Sequence, residues 1–93
     1  MMDRSAAIEA AAAFLAEESR QWPELRVKVM PDTAFVDGGA LIVSWNSADL
    51  VDHGIELAAL AGNSPIRVDL TTGACDYVDD DDLFTYMRRG RMG

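Results

Sequence analysis

Between Leu41 and Leu70 the chain reads LIVSWNSADLVDHGIELAALAGNSPIRVDL. The run from Ala40 to Trp45 is almost continuously apolar, which suits a central strand covered on both faces for part of its length. At the other end, Ile66, Val68 and Leu70 alternate with Arg67 and Asp69, the period of a strand with one buried face. A polar link follows Trp45-Asn46-Ser47, then a short helical turn over Gly54 to Ala61, with Gly62 suited to its C-cap. Two strands this close, with little helical length between them, commit the chain to a sheet.

The flanks extend the same plan. Ser5 is placed to cap a helix running to about Gln21, with Ile8, Ala11, Ala12 and Leu15 as its apolar stripe. Pro23 stops it and draws Trp22 out of helical geometry. Leu25, Val27 and Val29 alternate with Arg26 and Lys28, a half-buried strand that Pro31-Asp32 breaks. Thr33 to Val36 reads as a further short strand, and Asp37-Gly38-Gly39 as a tight turn. Thr71-Thr72-Gly73 turns the Ile66 strand into a returning one over Ala74 to Val78. Asp79 to Asp82 favour the start of a last helix, with Leu83, Phe84, Tyr86 and Met87 near its inner face and Arg88 and Arg89 at its end. The expected fold is α+β: an N-terminal helix packed across a three- to four-stranded antiparallel sheet, with a short C-terminal helix. Two layers are expected, in one domain spanning residues 1–93.

Composition narrows the partners. The formal net charge is −8. That argues against nucleic acid or an anionic membrane, which need basic patches. The acid is concentrated: between Asn46 and Asp82 nine residues are acidic and only Arg67 is basic. Such a surface aids solubility, and it also steers towards a basic protein. No apolar run is long enough for a membrane-spanning helix. No basic segment precedes an apolar one at the start, and Cys75 is the only cysteine, so a cytoplasmic protein without disulfides is expected.

Catalytic patterns are not expected here. His53, the only histidine, lies with Asp49, Asp52 and Glu56, short of the ligands and cysteines of a zinc site. The Asp79 to Asp82 run lacks the spacing of a calcium loop, and helix capping explains it better. Cys75 alternates in phase with Tyr77 and reads as an inert, buried thiol. No serine has a nucleophile-elbow context, and Gly38-Gly39 has no phosphate-loop pattern. The expectation is a protein with no enzymatic activity, no metal and no cofactor. Trp22 reads as a plug over the core. Trp45 closes a strand beside an acidic loop and reads as either a core lid or an interface anchor.

Several segments together resemble the immunity protein 35 family, also called the YrhB-like family. They are the N-terminal amphipathic helix, the strand leading to Pro31-Asp32-Thr33, Val43-Ser44-Trp45-Asn46-Ser47, and Leu60-Ala61-Gly62-Asn63-Ser64-Pro65-Ile66-Arg67-Val68-Asp69. The Thr72-Gly73 turn and the helix with Tyr86 and Arg88-Arg89 complete the order over nearly the full length. The chain departs from the family at Ala40, where members tend to carry a bulky aromatic. The resemblance implies a non-enzymatic bacterial immunity protein that binds and neutralises a cognate toxin. The charge fits a basic toxin, with Asp49, Asp52, Glu56, Asp79, Asp80, Asp81 and Asp82 as the steering surface and Trp45 as its anchor. A holdase-type chaperone and a structural protein-binding module are the competing readings. Either a monomer or a homodimer through an unpaired edge strand is compatible with the pattern.

Overall fold

The computed structural model describes residues 1–60 and 63–90. The N-terminal helix, α1, spans Arg4–Glu18. Its cap is Asp3, whose carboxylate accepts the Ala6 amide at 2.8 Å; Ser5, the expected cap, lies in the first turn. A carboxylate at the cap satisfies a free amide and meets the positive end of the helix dipole. A 3-10 turn over Ser19–Gln21 carries the chain on to Trp22, close to the expected end.

Four antiparallel strands follow in the spatial order β1-β2-β3-β4: β1 Val27–Asp37, β2 Ala40–Ser47, β3 Ile66–Asp69 and β4 Cys75–Tyr77. The expected break at Pro31-Asp32 is instead a bulge inside one long strand. Val27 to Met30 pair with Ser47 to Ser44, and Phe35 to Asp37 pair with Ile42 to Ala40. Across the gap, the Ser44 amide donates to Thr33 Oγ1 at 2.9 Å, and that hydroxyl donates to the Met30 carbonyl at 2.7 Å. The Arg4 guanidinium donates to the carbonyls of Pro31 and Ala34. Proline is tolerated because β1 is an edge strand, where a missing amide breaks no ladder.

Register sorts the side chains between the two faces. Leu41, Val43, Trp45, Ile66 and Val68 pack beneath Ala7, Ala11 and Leu15 of α1. On the opposite face, Ile42 packs with Phe35, Val78, Leu83 and Tyr86. The last two belong to α3, Asp80–Arg88. The expected two layers are therefore three, with α3 covering the second face of the central strand. On α3, Leu83 and Tyr86 point inward, but Phe84 and Met87 are 59% and 48% exposed, so only half of its expected inner face is one.

The link between β2 and β3 also differs from expectation. Its helix, α2, is Ala48–His53, capped by Ser47 and ended by Gly54 at φ +66°. Left-handed backbone at a helix end favours glycine. Among its described residues, the segment expected to be helical after Gly54 holds only a 3-10 turn over Glu56–Ala58. The cap expected at Gly62 lies outside the described residues.

Candidate functional site

The four strands alternate in direction, so β2 and β4 finish at the same end of the sheet. α1 also finishes there, beside Trp45 and Tyr77. The features with chemical character collect at this end. Asp52 and Asp82 reach the face away from α1, and an aromatic groove lies on the α1 side.

On the acidic face, Lys28 and Arg67 both project from the sheet by register. Lys28 Nζ donates to Asp52 of α2 at 2.8 Å. That hydrogen bond holds the Asp52 carboxyl below its usual range. Arg67 donates to Asp82 of α3 at 2.9 Å and to the Tyr86 hydroxyl at 3.1 Å. The Tyr86 hydroxyl in turn donates to Asp37 at 2.8 Å. Burial opposes the Arg67 charge, yet the bonds to Asp82 and Tyr86 prevail and raise its pKa. Burial, then the bond to Asp37, raises the Tyr86 phenol above its ordinary value.

The seven acidic residues singled out from the sequence thus divide by role. Asp52 and Asp82 are each paired with a cation. Asp79 caps α3 by accepting the Asp82 amide at 2.8 Å. Asp49, Glu56, Asp80 and Asp81 are exposed, and among the described residues no cation is paired with them. Asp49 lies in α2, directly after β2, Glu56 in the 3-10 turn beyond it, and Asp80 and Asp81 in the first turn of α3, after β4.

Trp45 does not stand on the surface with them. It is 6% exposed and belongs to the core under α1. Its indole donates to the Ser64 carbonyl at 2.7 Å, so both its apolar body and its polar atom are occupied within the fold. Trp22 stacks on it with ring centroids 5.9 Å apart and planes 7° apart. The expected choice between core lid and free anchor resolves as core, with Trp22 as the more accessible ring.

The two indoles form one side of an open groove of about 460 Å³ between the end of α1 and the segment before β3. Tyr77 forms another side and meets Phe14 edge to face. The Tyr77 phenol oxygen is buried and makes no well-formed hydrogen bond among the described residues. Burial, and after it the nearby charge of Glu18, raises its pKa. Glu18 also lines the groove, close enough for its carboxylate to raise the phenol pKa both by its charge and by a loose hydrogen bond from the hydroxyl. On the far wall, Asn63 donates its amide to the Trp45 carbonyl. Sequence reasoning missed Glu18, Asn63 and Tyr77 as a group, because no local spacing joins them.

Among the described residues, no three His, Cys, Asp or Glu side chains are grouped to hold a metal ion. No described helix is long and apolar enough to cross a membrane. Burial raises the pKa of the half-buried Cys75 thiol, which keeps it protonated. In comparisons with known proteins, no family model, no curated protein and no solved structure matches the chain.

Proposed function

We propose that this chain is a non-enzymatic, cytoplasmic immunity protein that binds and neutralises a basic protein toxin. The observation that carries the reading is the exposure of Asp49, Glu56, Asp80 and Asp81, with which no cation is paired among the described residues. Exposed, unpaired carboxylates raise the local field and speed encounter with a basic surface. The resemblance to the immunity protein 35 family supplies the class of partner. Asp52 and Asp82 contribute less, since Lys28 and Arg67 already offset them.

A tagged copy held against a lysate of the source cells, at low and at moderate salt, identifies the partner. Co-expression then tests whether the captured protein is toxic alone and harmless with this chain. Reversing Asp49, Glu56, Asp80 and Asp81 together to lysine should slow association at least tenfold and flatten its salt dependence. Unchanged association would remove this surface from the reading. Exposed Phe84 and Met87, one helical turn apart on α3, favour a chaperone as the second reading. Capture of many unfolded clients, with no single toxin, would put that reading first.

A further inference from the structure

We infer that the groove at the end of α1 receives the guanidinium of an arginine side chain, stacked on the Trp22 indole and held by the Glu18 carboxylate. For the source of that arginine the inference rests on the basic partner proposed above; for the chemistry of the groove it does not.

Three features of the groove converge on a flat, donor-rich cation. Trp45 is fixed by its bond to Ser64 and backs Trp22 in a near-parallel stack. Trp22 is thereby held flat while remaining partly exposed beside the groove. Indole faces attract cations, and planar guanidinium stacks on them better than ammonium does. Among the described residues, Glu18 is the only charged one lining the groove. Among the described residues no cation is paired with it: Arg20, its near neighbour, pairs with Glu17 at 3.2 Å. A carboxylate in this position repels an anion and accepts a guanidinium in a two-bond fork. The third feature is the Tyr77 phenol oxygen, buried in the groove wall with no donor to it among the described residues, its own hydroxyl lying near Glu18. Few native buried polar groups lack a partner. Guanidinium carries five N–H donors, enough to serve both the phenol oxygen and Glu18. A purely apolar occupant would leave the phenol oxygen without a donor and would displace water from Glu18.

The test titrates N-acetyl-arginine amide into the intact chain and follows the two indole N–H resonances by NMR. The neutral citrulline counterpart, which has the same shape without the charge, is titrated in parallel. Arginine should shift the Trp22 resonance saturably, and citrulline should bind roughly tenfold more weakly. Glu18→Gln should reduce arginine binding to the citrulline level. Glu17→Gln, one residue away and outside the groove, should leave it unchanged. No saturable shift with arginine, equal binding of citrulline, or equal effects of the two glutamine variants would each overturn the inference. Because these probes need no toxin, failure here alongside an intact toxin complex removes only the arginine pocket. Failure of the toxin complex alongside arginine-specific binding removes only the immunity reading.

Discussion

Asn46 shows how one side chain at the end of a strand organises the whole link that follows. Its side-chain oxygen accepts the amides of Ser47 at 2.8 Å and Leu60 at 2.7 Å, and its nitrogen donates to the Leu60 carbonyl at 3.3 Å. The segment leading to the groove is thus tied to β2 by one amide. Alanine at this position leaves the Leu60 groups without their partner. Asn46→Ala should cost about 2 kcal/mol, seen as a lower urea midpoint with an unchanged slope. A midpoint equal to that of the parent would mean that water replaces the amide without loss. Trp45 and Asn46 are neighbours, but they were not equally legible. Strand alternation places Trp45 in phase with Leu41 and Val43, so its buried side can be read from the sequence. Its acceptor is Ser64, nineteen residues away, and Asn46 reaches fourteen residues to Leu60. Such bonds depend on how the link folds back, which no local period encodes.

At the level of elements, the helix and strands that carry alternating or periodic apolar residues were legible, and their junctions were not. Pro31 signals a strand end because proline removes a ladder amide, but the strand continues because Thr33 and Arg4 supply bonds from outside the ladder. Gly54 suits a helix end, and it ends α2 because Ser47 starts that helix directly after β2. The apolar run of β2 implied cover on both faces, and α3 supplies the second cover that a two-layer plan lacked. What pins α3 there is Tyr86, bonded to Asp37 and to Arg67. Its phenol pKa lies above the ordinary 10.0, through burial first. The folded state therefore holds this proton more tightly than the unfolded chain does. That contribution is complete below the ordinary tyrosine value and is lost as pH rises through the folded value. Stability should therefore fall as pH is raised above about 10. Tyr86→Phe should lose part of that dependence, while Tyr77 and the Cys75 thiol, both also raised, keep their shares. Urea unfolding across alkaline pH gives the measurement, and identical slopes for parent and variant would show that Tyr86 plays no part. At neutral pH the same variant should speed amide exchange in α3 more than in α1, since only α3 loses a tether.

The whole molecule carries 16 acidic and 8 basic residues. Among the described residues three ion pairs offset part of this excess, all of them with substantial exposure. Exposed pairs contribute little each, whereas the unpaired carboxylates repel one another across the folded surface. Unfolding spreads these charges and relieves the repulsion. Raising ionic strength shortens the screening length from about 10 Å at 0.1 M to about 3 Å at 1 M. Sodium chloride should therefore raise the thermal midpoint, because the repulsion being screened exceeds the attraction lost from the three pairs. Sulfate is a poor choice for this test, since it strengthens apolar burial by a separate route. A falling midpoint would mean that the pairs matter more than the excess charge. The same salt should weaken the complex with a basic partner, whose attraction it screens. Stability and binding should thus move in opposite directions over one salt titration. That opposition separates loss of attraction from loss of the fold: if the complex weakens while the midpoint rises, unfolding of this chain cannot explain the weakening.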